Sequence, residues 1–522
     1  MKIVGQTSTK EKNRGHSTRK GTDLHGEIAM RLACPEQRLD CLPISEVTLN
    51  VACRDEIIPI LGALQHLYGD AQLRRELLGL VGKDVNKSTS HNLGRRGMNY
   101  WEIAVLAGVR LGCNLDYDKL QDLAENHRRL RQIMGIGDWQ TEEVDFDWRR
   151  IEDNLLKLRP ETLKKVNDLI VRAGHALEPQ AIEAVRGDTF VVETNIHYPT
   201  ESSLIGDGLR KVVTLAARLA GEQGLPGWRQ HEHWLDKVKK LVRHIGRASR
   251  AKNQAGKARL EAGYKELLQV ADELLQRARQ LAATVQLPEN LSVLDLAGSV
   301  GVKELLHYVD LTAKVCDTAW RRVLEGEVVP HEEKIFSIFE PHTELIKRGK
   351  QPVAIQFGHN VLVIEDAVGF VVDYRVVANG VLDQDLVVPV MKNLQKRFAG
   401  RIKSASFDRA FHTLENQKEL AEIVGTPCIA SKGQEKGRQQ QEEGTVAFRQ
   451  ARQHHPGVES AIGALQGGNG LKRCRDRSKA GYERYVGLGI LGRNLQTLGK
   501  LLLARSEPDC QAAKTKRQRK AS

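Results

Sequence analysis

VRGDTFVVETNIHYPT, Val185 to Thr200, is the stretch on which the architecture turns. Thr189, Phe190, Val191, Val192, Thr194 and Ile196 crowd it with β-branched and aromatic side chains, Gly187 stands near its start, and Pro199 closes it, so it predicts a strand. It carries two acids, Asp188 and Glu193. Side chains alternate along a strand, so the two point to opposite faces. An edge strand with a solvated acid is the plainest account of it. The rest of the chain decides whether one of the acids is used.

On the N-terminal side, residues 45–184 carry helical periodicity. Ile57, Leu61, Leu64, Leu67 and Tyr68 recur at helical spacing, then Leu73 and Leu77, then Trp101, Val105, Leu106 and Val109. Residues 114–135 read as a short helix pair. This helical N-terminal domain could contact DNA or only pack. Residues 1–44 form a basic, flexible tail.

Residues 201–350 predict a long helical insertion. Within it, 237–259 (KVKKLVRHIGRASRAKNQAGKAR) holds nine Lys or Arg and no acid. Lys240, Arg243, Arg247 and Arg250 fall at offsets 0, 3, 7 and 10, which makes one helix face cationic. A solvated face is the bland account. Like charges on one helix face repel, which favours a phosphate partner.

From residue 351 the texture turns to β. The spacing predicts strands at 352–366 and 369–378 joined by a turn at Asp366–Gly369. A helix at 382–398 capped by Asp383, a strand at 401–408 ending on Asp408, a helix at 412–425 and a strand at 426–431 follow. Residues 431–455 read as a polar loop, and a helix carrying Glu459 begins at Pro456. Residues 501–522 read as a basic, disordered tail. Without the insertion the order is β-β-β-α-β-α-β-α, the topology of a ribonuclease-H-like α/β domain built from 185–200 and 351–500. Sites in open α/β sheets gather at the carboxyl ends of strands, where Asp408 falls.

The chain has 522 residues and a net charge of +13, with a pI near 9.3. That balance favours a polyanionic partner. Aromatics make up 5%, too few for a surface built on base stacking. The eight Cys include no CxxC pair, which argues against zinc and for a reducing compartment. The N-terminus lacks an apolar signal segment, and no apolar run is long enough to span a membrane. A cytoplasmic, bacterial, nucleoid-associated protein is the expectation. Two histidine groups, His231 with His233 and His454 with His455, lack a third ligand at metal spacing and read as surface or loop residues. Asp366, Asp373, Asp383 and Asp385 read as turn and cap residues.

Five blocks carry a resemblance. They are NYWEIAVLAGVRLGCNLDYDKLQDLAENHRRLRQIMG (99–135), RGDTFVVETNIHYPTESSL (186–204), FGHNVLVIEDAVGFVVDYRVV (357–377), SFDRAFHTLENQ (406–417) and the segment 455–499 that opens HPGVESAIGALQ. In this order they resemble the DDE transposases of bacterial insertion sequences, the ISNCY group. The resemblance implies a two-metal phosphoryl transfer, with two Mg2+ or Mn2+ ions held by Asp188, Asp408 and Glu459, roughly 3.5–4 Å apart. Asp188, rather than Glu193, matches the family's first acid. The implied reaction nicks double-stranded DNA at the element's ends and joins the freed 3′-OH to target DNA, in a synaptic homodimer. Lys240, Arg243, Arg247 and Arg250 of the cationic face, which lies outside the resembling blocks, are with Lys472 and Arg473 the expected DNA contacts. A catalytically inactive DNA-binding protein and a ribonuclease-H-like nuclease without strand transfer are the alternatives. Three positions depart from the family pattern. Ala410 stands where the family has Gly, Glu201 where Asp is common, and Gln466 where related transposases place Lys or Arg.

Overall fold

The computed structural model describes residues 31–36, 41–86, 97–137, 146–251, 253–285, 293–347, 354–431 and 443–521. Most of the predicted N-terminal tail, Lys252, the first two residues of the predicted strand 352–366, and residues 432–442 of the predicted loop lie outside them.

The protein is a mixed α/β structure organised on an open six-stranded sheet. In chain order the strands are β1 (Ala184–Glu193), β2 (Glu344–Lys347), β3 (Ile355–Asp366), β4 (Val371–Val376), β5 (Ser404–Phe407) and β6 (Thr426–Ile429). β1 is central, antiparallel to β3 on one side and parallel to β5 on the other. β6 extends the sheet parallel to β5. β2 and β4 pair antiparallel with β3 on the edge away from β1. The stretch 185–200 is therefore a strand only as far as Glu193. Thr200 leaves the strand direction and caps the next helix by accepting from Ser203 N.

Helices lie on both faces, as a sheet with two apolar faces requires. Pro160–Leu177, started by proline at its first position, packs His175 and Gly174 against the face that carries Val185 and Asp366. Asp366 holds the β3–β4 turn as expected. Its Oδ1 accepts from Val368, Gly369 and Phe370 N at 2.9–3.0 Å, and its Oδ2 meets His175 Nε2 at 2.7 Å. Gly369 sits at φ 102°, a conformation that favours glycine.

The N-terminal helices, the sheet and the last helix, Lys479–Ala521, share one hydrophobic core. That last helix threads the assembly. Tyr482, Tyr485, Val486, Leu488, Ile490, Leu495 and Leu498 are buried along it. It reaches its neighbours' backbones through glycine: a Cβ on Gly492 would stand 2.5 Å from Gly112 N, and one on Gly499 1.8 Å from Pro59 O. Asn494 ties it to β4 by accepting from Val371 N (2.8 Å) and donating to Val371 O (3.1 Å). The backbone of 501–521 continues this helix, so the expected disordered tail is a helical extension.

The insertion is a bundle of Glu201–Glu222, His231–Ala248, Gln254–Thr284 and Val293–Val323, with its own core of Ile205, Leu209, Val212, Ile245, Leu267, Leu274 and Leu305 among others. Glu201 forms an ion pair with Arg322 that links the first and last of these helices. Four further expectations change. β2 lies in the segment assigned to the helical insertion. Val446–His454 is a helix inside the predicted loop, capped by Thr445. The helix predicted from 382 starts at Val387, preceded by Leu386 without a side-chain cap, so Asp383 does not cap it. Arg250 lies beyond the helix end at Ala248, so the predicted cationic face loses its last member. Among the described residues no helix is long and apolar enough to cross a membrane.

Candidate active site

The β1–β5 register decides where the acids stand. Val185 pairs with Ala405, Arg186 with Ser406 and Gly187 with Phe407. Asp188 and Asp408 are the next residues along, neighbours where the parallel β1–β5 pairing ends: Asp408 follows the last residue of β5, while β1 continues to Glu193 beside β3. Register partners project to the same face, so Arg186 and Asp188 share a face with Ser406 and Asp408. Both aspartates are partly buried, and each accepts from the amide that follows it, Thr189 N and Arg409 N, both at 2.7 Å.

The helix Gly457–Gly467 lies along this face of β1. Arg186 packs against Gly457 and donates to His454 O at 3.0 Å, while Gln466 Nε2 donates to Val191 O at 3.4 Å. Helix and strand therefore run side by side, and Glu459, in the helix's first turn, rides above the Asp188 end. Glu459 is exposed, with no side-chain partner among the described residues. Glu193 points to the other face, where it pairs with Arg473 (2.9 Å) and accepts from Gln356 Nε2 (3.2 Å).

Sequence reasoning missed a polar row beneath the acids. Arg186 Nε donates to Glu365 Oε2 at 2.8 Å, and Arg493 stands 3.5 Å from the same carboxylate. Burial pushes the Glu365 carboxyl up, while Arg186 holds it down. On the other side of Arg186, Ser406 Oγ lies 3.3 Å from His455 Nδ1. His455 is buried rather than a surface or loop residue, and it stands near both Asp408 and Glu459. Burial and then Arg452 lower its pKa, whereas the nearby Asp408 and Glu459 carboxylates raise it. The signal was available: His455 precedes Glu459 by four residues, one helical turn, and Arg186 precedes Asp188 by one strand period.

The donors at this face are carboxylate oxygens, the chemistry that hard divalent cations take. They do not form a preformed cage: among the described residues no group of three His, Cys, Asp or Glu is placed to hold an ion. Mg2+ keeps much of its shell as water and phosphate oxygen, so one or two protein carboxylates per ion suffice and the donor set fits.

The departures from the family pattern have structural accounts. Ala410 lies in the short 3-10 turn Arg409–Phe411 and does not take a positive φ, so its side chain carries no backbone penalty there. Gln466 bonds to Val191 O, and Glu201 braces the bundle.

Of the six expected DNA-binding residues, Lys240, Arg243, Arg247 and Arg250 are exposed on the bundle and make no ion pair among the described residues. Lys472 is exposed next to the sheet, and Arg473 is engaged by Glu193. No protein-family model, no curated protein and no solved structure matches the chain.

Proposed function

We propose that this chain is a DDE-type transposase that cuts and joins double-stranded DNA. The observation that carries the reading is the juxtaposition of Asp188 and Asp408, each following the last paired residue of the parallel β1–β5 ladder, with Glu459 on a helix over the same face. The strand order β4-β3-β1-β5-β6, with only β3 reversed, supports a ribonuclease-H-like catalytic core. In this reading Asp188, Asp408 and Glu459 hold two Mg2+ or Mn2+ ions, which when bound activate the attacking oxygen and stabilise the leaving one. The backbone amides of Thr189 and Arg409 each fix one oxygen of their aspartate. Glu459, exposed in the first turn of its helix, would supply a further carboxylate to the ions rather than to the phosphate. Arg186, anchored by Glu365, keeps the helix seated on the strand.

The unpaired cations of the bundle offer the duplex a phosphate-binding surface. Replacing Arg243, Arg247 and Arg250 together by Ala should lower the slope of log affinity against log salt by about one for each phosphate no longer neutralised. Filter binding across a salt series reads this, and an unchanged slope removes that surface from the footprint.

Product mapping tests the whole reading. The full chain is incubated with Mg2+, a duplex carrying the element's end and a target duplex. A transposase yields nicks at the end and joined molecules. Nicks without joining indicate a nuclease, and a shifted but intact duplex indicates an inactive binder.

A further inference from the structure

Four ionisable side chains line up where the insertion returns to the sheet. Glu340 Oε2 lies 2.9 Å from His342 Nε2, His342 Nδ1 lies 2.8 Å from His359 Nε2, and His359 Nδ1 lies 3.1 Å from Glu344 Oε1. The imidazoles are parallel to within 10°. Their N···N distance is shorter than a face-to-face stack permits, so the shared bond runs close to the ring planes. Glu340 is 7% and His359 5% exposed, and the side chains of His342 and Glu344 are 12% and 18% exposed.

The arrangement sets a proton count. Each of the three contacts joins two atoms that carry lone pairs, and each is attractive only with a proton between them. Two neutral imidazoles and two ionised carboxylates supply two protons, so the third contact is left as lone pair against lone pair. No Lys or Arg pairs with any of the four among the described residues.

The surroundings add no proton. Ser478 N already donates to Glu340 Oε2 at 2.9 Å. From the last helix the Tyr482 ring packs on both imidazoles, but its hydroxyl donates to Val192 O at 2.7 Å. Before that helix lie the Cys474 thiol, which burial pushes up, and Asp476, which is paired with Arg110. From β1, Thr194 meets Thr343, and Glu193 is engaged by Arg473.

We propose that the Glu340–His342–His359–Glu344 chain holds one proton beyond those of neutral imidazoles and ionised carboxylates, and that its loss as pH rises loosens the junction between the insertion and the sheet. Both connections of the bundle meet here, through Thr194 on the outgoing side and the 337–347 segment on the return. The proton thus governs how firmly the bundle is held beside the candidate active site, whether or not the chain cuts DNA.

The test uses the full chain with 15N-labelled histidine and a second, exchange-based readout. Ring nitrogen shifts of His342 and His359 should report three N–H protons at about pH 6 and two at about pH 9. Amides of residues 338–345, corrected for intrinsic rate, should exchange at least about tenfold faster at the higher pH. In Glu344→Gln the carboxamide N–H donates to His359 Nδ1 and supplies the missing hydrogen covalently. That variant should show two ring protons and equal protection at both pH values. Two ring protons in the wild type throughout, or an undiminished pH response in Glu344→Gln, overturns the proposal.

Discussion

Asp408→Ala is expected to abolish Mg2+-dependent nicking and joining, lowering the rate by about 10³-fold, the upper scale for removing one preorganised electrostatic contact to a transition state. The reason is position. Asp408 stands where β5 ends, beside Asp188, on the face crossed by the Glu459 helix. Its part in holding the fold is slight. It accepts from Arg409 N at the head of a three-residue 3-10 turn, a cap whose removal costs about 1 kcal/mol. The variant should therefore fold, bind an end-bearing duplex as the wild type does, and fail only in chemistry. A variant that keeps its cleavage rate removes Asp408 from the site. A variant that loses binding and chemistry together assigns it to folding.

Asp476→Ala should produce the largest drop in stability. Asp476 receives Arg110 through two bonds, Nη2–Oδ1 at 2.6 Å and Nη1–Oδ2 at 3.2 Å, and both side chains are nearly sealed at 2% and 3% exposure. Arg110 also stacks on the Tyr117 ring at 4.0 Å. Removing the carboxylate leaves a buried guanidinium without its counter-charge, at a cost of about 3–5 kcal/mol. Chemical denaturation should show a lower midpoint. Because an apolar pair of similar volume can replace a buried ion pair at little cost, Arg110→Met with Asp476→Leu should recover most of the stability. If the single variant costs under about 1 kcal/mol, the pair does not lock the N-terminal helices to the segment that leads into the last helix.

Several elements were legible because their causes are local. β1 announced itself through the run Thr189 to Val192. The helices at 57–69 and 100–112 showed in their apolar spacing, and the β3–β4 turn in Asp366 and Gly369. The opposite orientation of Asp188 and Glu193 followed from strand periodicity alone, and Glu193 does pair away from the acids. What was missed depends on partners distant in sequence or on short elements. β2 is four residues at an edge, too brief for alternation to register. The helix Val446–His454 buries only Phe448, so its sequence reads as polar loop. The pairing of Arg110 with Asp476 spans 366 positions, which no local pattern can reveal. His455 looked like one of two loop histidines. Its bond to Ser406 makes it part of the site, and that bond exists only once β5 lies beside β1. The single core joining the N-terminal helices, the sheet and the last helix was likewise invisible until the glycines at 492 and 499 brought backbones together.

Whether Asp188, Asp408 and Glu459 form one divalent-metal site can be read directly from crystals of the full chain with an end-bearing duplex and Mn2+, measured for anomalous scattering. Two peaks are expected roughly 3.5–4 Å apart at this face, within coordination distance of all three carboxylates. With duplex bound, no peak there, or peaks held by other residues, would rule the shared site out.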